Sequence, residues 1–127
     1  MFQHILLPTD GSASSDTAIQ GAMRLARDMN AKVTGIHVVP PFHTFTYRPD
    51  MIEDTEDQYE IDSEAAARKV LLTVEQQAAE CGVPCELVIV RSDDIYGAII
   101  ETARSKQCDL IAMASHGRRG VRGLLLG

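Results

Sequence analysis

An apolar run, Leu110-Ile111-Ala112-Met113-Ala114, breaks into Ser115-His116-Gly117-Arg118-Arg119-Gly120-Val121-Arg122-Gly123, a segment rich in glycine and arginine and free of acid. The whole chain carries a formal net charge of -6, so this local reversal of charge points to an anion. Glycines let the backbone come close to a ligand, and converging amide N–H groups meet negative charge favourably. Arg118, Arg119 and Arg122 would add charge-assisted hydrogen bonds worth about 1.5–3 kcal/mol each. The chemistry expected here is phosphate binding; the residues alone leave open an ordinary flexible turn.

Other chemistry-bearing residues are sparser. Asp10, in Thr9-Asp10-Gly11-Ser12 after the first apolar run, either accepts hydrogen bonds from a ligand or caps a turn with Gly11. His116 reads as a turn residue or a donor to phosphate, since no carboxylate or nucleophile lies near it in sequence to orient it as a base. His37 is expected to pack in the sheet, and His4 and His43 carry no signal. The acidic stretch from Asp50 to Glu64 reads as a solvated loop leading into a helix; it lacks the spacing and central glycine of an EF-hand. Gly-Lys-Ser/Thr phosphate loops are absent as well. Neither a catalytic residue nor a metal site is assigned.

The elements that must position these residues alternate between short β-rich runs and longer helical ones, as in a parallel sheet with crossover helices. Ile5-Leu6-Leu7 forms a first strand ending at Pro8. Ala18, Ile19, Ala22, Met23, Leu25, Ala26 and Met29 recur at helical spacing, with Ser14 or Ser15 as N-cap and Asn30 as stop. Val33–Val39 is a second strand closed by Pro40-Pro41, followed by a connection of about fifteen to twenty residues, long enough to suggest a functional role. A second helix carries Ala67, Val70, Leu71, Val74 and Ala78 and ends near Gly82. Cys85–Val90 is a third strand, Asp93 or Asp94 caps a helix bearing Ile95, Ile99, Ile100 and Ala103, and Leu110–Ala114 is a fourth strand. Strands one, three and four are nearly continuous apolar runs, which implies burial on both faces. The fold class is therefore α/β, an open parallel sheet with helices on both faces. Ligands of such sheets bind outside the carboxyl ends of the strands, which would gather Asp10, Val38 and the Gly117 loop at one crevice. Leu124-Leu125-Leu126-Gly127 reads as the opening of a further helix, so a C-terminal helix and strand are expected to be missing.

Composition sets the frame. With 127 residues, 45% hydrophobic and 24% charged, one domain spanning 1–127 is expected, burying roughly two thirds of its unfolded surface. No apolar run reaches the roughly 20 residues of a membrane span, and the N-terminus lacks a signal-peptide pattern; the cytoplasm is the expected compartment, with no membrane partner. Net acidity argues against nucleic acid as a partner. Cys81, Cys85 and Cys108 fit no common zinc or redox spacing and are read as reduced packing residues.

Strand-Pro8-Thr9-Asp10-Gly11-Ser12, Ile36-His37-Val38-Val39 and Ala114-Ser115-His116-Gly117-x9-Gly127 together resemble the universal stress protein family over essentially the whole chain. The resemblance implies a Rossmann-like fold of the adenine nucleotide α-hydrolase type. ATP-binding members of that family carry glycine, two residues, glycine, nine residues, glycine, then serine or threonine. Gly117 and Gly127 match the second and third glycines, and Ala114 stands in place of the first. The resemblance implies ATP, alone or with magnesium, as cofactor. Pro8, Thr9 and Asp10 would wall the adenine and ribose, Val38 would offer backbone hydrogen bonds to the adenine edge, and Met113 would pack on the base or ribose. Amides from Ala114, Ser115, His116, Gly117 and Gly127 would hold phosphates; Arg118 and Arg119 are added from charge alone. A homodimer is implied as the assembly.

Three functions follow from this reading. The first is a cytoplasmic ATP-binding regulatory protein with at most slow hydrolysis. The second is a nucleotide-free dimeric interaction module, motivated by Ala114. The third is an adenylating enzyme, suggested by Gly11-Ser12-Ala13-Ser14-Ser15 but short of the several glycines such a loop needs.

Overall fold

The computed structural model describes residues 2–42, 52–114 and 124–126. In chain order these form β1 (His4–Pro8), α1 (Ala13–Met29), β2 (Lys32–Val39), α2 (Ile52–Cys81), β3 (Cys85–Arg91), α3 (Ile95–Ser105), β4 (Leu110–Ala114) and β5 (Leu124–Leu126). The sheet runs β3-β2-β1-β4-β5, with the first four strands parallel and β5 antiparallel to β4.

Strand alternation sorts the core into two layers. Ile5, Leu7, Val33, Leu110 and Ala112 face α1 and α2, meeting Ile19, Met23, Leu71 and Val74. Leu6 and Ile36 face the other way, onto Ile99 and Ala103 of α3. Helices thus cover both faces, as the alternating pattern requires. Gly35 lets α2 lie close to β2: a Cβ there would stand 3.0 Å from Val74 Cγ1 and 3.3 Å from Leu87 Cδ2.

Helix ends follow their capping residues. Asn30 ends α1 in the left-handed region at φ 57°, its N–H donating to the carbonyls of Ala26 and Arg27. Gly82, at φ +68°, does the same after α2. The N-cap of α1 is Ser12 and not Ser14 or Ser15: its hydroxyl accepts from the Ser15 amide at 3.1 Å. Asp94 caps α3, accepting from the Gly97 amide at 2.9 Å.

Four expectations are corrected. The acidic stretch is helical from Ile52: acids at a helix N-terminus are favoured by the macrodipole, so the β2–α2 connection spans only residues 40–51. Three hydrogen bonds tie this end of α2 down. Tyr59 donates its hydroxyl to Pro40 O at 2.6 Å, and Arg91 donates to Glu60 O and Ser63 Oγ, both at 3.1 Å. β3 is an edge strand, half-buried along Leu87–Val90, so its apolar run does not mark burial on both faces. Leu124–Leu126 is a strand and not a helix start, because three leucines carry no periodicity and β4 offered an unpaired edge. Ile95 and Ile100 stand 50% and 53% exposed on α3, leaving Ile99 and Ala103 as its buried face.

At the amino ends of the strands sits a polar cluster that sequence reading missed. His4 is buried, its Nε2 lying 2.6 Å from Thr34 Oγ1. Burial pushes the His4 pKa down and Lys32 pushes the same way, while a backbone contact with Lys106 and the charges of Glu86 and Asp109 oppose. Asp109 accepts the amides of His4 and Gln3, which hold its carboxyl below the ordinary range. Glu86 is lowered by Lys106, whose ammonium lies 2.9 Å away. All three cysteines are free; Cys85 is exposed on the sheet edge, so packing describes only Cys81 and Cys108.

Candidate functional site

β1 leaves the sheet at a proline. Pro8 has no N–H to give, and the pairing of β1 with β4 stops at Leu6↔Ile111, so the two strands part company beyond it. On the other side the ladder to β2 runs two residues further, to Pro8↔Ile36, and the Thr9 amide donates to Ile36 O at 3.0 Å. A crevice therefore opens between β1 and β4, at the point where the strand order reverses.

The loop after Pro8 is fixed from within. Thr9 is buried and its hydroxyl accepts the Gly11 amide at 3.2 Å. Gly11 turns the chain at φ +83°, and a Cβ there would stand 3.0 Å from Val70 Cγ2 of α2, so conformation and space both call for glycine. Asp10 Oδ1 accepts the Ser12 amide at 2.9 Å and the Ser15 hydroxyl at 2.8 Å. Asp10 is thus a turn-capping residue whatever else it does, and it is also exposed at the crevice.

β2 supplies the facing wall. Strand amides alternate in direction, and Ile36 O points at β1. Two residues on, the N–H and C=O of Val38 aim the same way, past the end of β1. His37 donates from Nδ1 to Thr9 O at 2.7 Å, because a carbonyl can only accept; this ties the two strand ends together and corrects the expectation of a merely packed histidine.

A cavity of about 220 Å³ lies across these ends. Five expected residues, Pro8, Thr9, Asp10, Val38 and Met113, all line it. Sequence reading missed Ser15, Ile36, His37 and the start of α3, from which Ile95, Tyr96 and Ile99 join the lining. The volume is below the about 300–1,000 Å³ of pockets that bury a drug-sized ligand.

Ala114 ends β4 and is the register partner of Leu124 of β5. Ser115, His116, Gly117, Arg118, Arg119 and Gly127 lie outside the described residues. Among the described residues no group of three or more His, Cys, Asp or Glu is placed to hold a metal ion, and no helix is long and apolar enough to cross a membrane.

The family model described as Universal stress protein family matches residues 1–127. Universal stress protein MJ0531 of Methanocaldococcus jannaschii is 30% identical over 130 residues, spanning 100% of this chain and 72% of that relative. A universal stress protein solved in complex with cAMP shares the fold at a TM-score of 0.69 and 24% identity, over 94% of this chain and 81% of its own. A universal stress protein family protein from Arabidopsis thaliana with AMP bound does so at a TM-score of 0.69 and 18% identity, over 94% and 80%.

Proposed function

This chain belongs to the universal stress protein family, and from that premise we propose that it is a cytoplasmic regulatory protein binding an adenine nucleotide, ATP in the cell, at the carboxyl ends of β1, β2 and β4. The observation that carries the reading is the convergence of Pro8, Thr9, Asp10, Val38 and Met113 on one cavity. A nucleotide base entering it would meet the outward-aimed Val38 amide and carbonyl on its edge and Met113 on a face. Asp10 would take the ribose hydroxyls. Phosphates would run toward the end of β4 and be held by the amides of Ala114, Ser115, His116, Gly117 and Gly127, with Arg118 and Arg119 neutralising charge, a task that magnesium accompanying ATP would share. That relatives of this fold are solved with cAMP and AMP supports the choice of base. Binding is the role assigned; hydrolysis, if present, is slow.

Isothermal titration with AMP and with ATP, with and without magnesium, tests this directly. Micromolar binding is expected, with ATP weakened strongly in Gly117→Val. Failure of both nucleotides at millimolar concentration would overturn the reading. A second reading then applies, a nucleotide-free homodimeric interaction module, for which Ala114 in place of a motif glycine is the supporting observation. Light scattering on the ligand-free chain measures the dimer that both readings share.

A further inference from the structure

Ile95 and Tyr96 combine two properties that rarely go together: they line the cavity, and they are 50% and 70% exposed. Large apolar groups left in water beside a pocket lose their hydration only when something covers them. Their position is also stiff. The Asp94 carboxylate takes the Gly97 amide at 2.9 Å, the Asp94 amide donates to Ser92 Oγ at 3.0 Å, and Ile99 beneath them is buried against the sheet. A tyrosine on a rigid first turn presents a ring with little conformational freedom to lose on binding.

Resting on the nucleotide reading of this cavity, we propose that Tyr96 is a specificity-determining residue whose ring stacks on the heterocycle of the bound nucleotide, with Ile95 flanking it. The interior offers Val38 and Met113 to the ring system; Tyr96 supplies the remaining cover. Stacking area then selects the ligand: a two-ring purine overlaps the phenol ring more fully than a one-ring pyrimidine. The phenol hydroxyl plays no part.

The test titrates AMP and CMP into the wild-type chain and into Tyr96→Phe, Tyr96→Leu and Tyr96→Ala, with circular dichroism and thermal midpoint as controls for folding. Wild type and Tyr96→Phe bind AMP within about twofold of each other, while Tyr96→Leu and Tyr96→Ala lose about tenfold or more, as base–aromatic stacking predicts. CMP binds more weakly than AMP to wild type, and the gap narrows in Tyr96→Ala. A second readout is optical. The chain has three tyrosines and no tryptophan, so AMP stacking quenches tyrosine emission in wild type, and the quench disappears in Tyr96→Phe. AMP affinity and quenching unchanged in the folded Tyr96 variants would overturn the platform while leaving the nucleotide reading intact. A wild-type chain that binds neither AMP nor ATP would overturn both.

Discussion

Asp10 and Ser15 are joined side chain to side chain, the Ser15 hydroxyl donating to Asp10 Oδ1 at 2.8 Å across the turn into α1. Ser15 is buried, and its own amide is taken by Ser12, so the two serines and the aspartate lock the turn that forms one wall of the cavity. Asp10→Asn keeps an oxygen for both loop bonds and removes only the charge. It should therefore shift the thermal midpoint little, yet weaken ATP on the order of tenfold if a charged acceptor meets the ribose. Ser15→Ala should show the reverse emphasis, costing about 1 kcal/mol of stability, or about 3–5 °C in the midpoint. Parallel thermal melts and titrations of the two variants separate the turn-capping role of Asp10 from the ligand-reading one.

Gly11 is held by two independent constraints, φ +83° and Val70 Cγ2 at 3.0 Å from a Cβ. Gly11→Ala should lose about 1–2 kcal/mol from the left-handed conformation alone, with the steric clash adding to it. Val70→Ala in the Gly11→Ala background should return only the steric part. A double-mutant cycle in urea measures that coupling; strict additivity would show that α2 does not constrain the turn.

Acidification should destabilise the fold through His4. Its folded-state pKa lies below the unfolded value because burial disfavours the cation, so the unfolded chain takes up a proton that the folded chain refuses. Stability is then fully present above about pH 6.5 and falls as pH drops from there toward the folded pKa. Glu86 and Asp109, with lowered pKa values, add their losses only below about pH 4. Urea midpoints at pH 7.5 and 5.5 should therefore drop more for wild type than for His4→Gln. Equal drops would assign the pH dependence elsewhere.

Asp94 sets where α3 begins. Asp94→Ala removes the cap on the Gly97 amide and should cost about 1 kcal/mol. Because Ile95 and Tyr96 ride on that turn, AMP binding should weaken as well, whereas Asp94→Ser restores both. Loss of stability with unchanged affinity would mean that the first turn of α3 holds its place without its cap.

The sequence made the strands, their carboxyl-end loops and the stops at Asn30 and Gly82 legible because each rests on local signals: apolar runs, a proline, residues tolerant of positive φ. Pro8, Thr9, Asp10, Val38 and Met113 were foreseeable once those loops were known to meet. Tyr96 and His37 were not, since their place at the cavity depends on which strand α3 packs against and where β1 ends. The N-cap reads from sequence as Ser14 or Ser15, and Ser12, of the same capping chemistry, is passed over because only hydrogen-bond geometry distinguishes neighbouring serines. The edge position of β3 and the pairing of β5 are properties of strand order, which no run of residues encodes by itself.

The pairing of β1 with β4 joins Ile5 to Leu110 and Leu6 to Ile111, and the amides of Gln3 and His4 to Asp109. β1 therefore waits for β4, some hundred residues later in the chain, before the crevice between them can exist. Non-local pairing of this kind is slow to form because loop closure precedes its reward. A nascent chain, however long its folded α1 and α2, has no finished cavity until β4 has emerged and paired with β1.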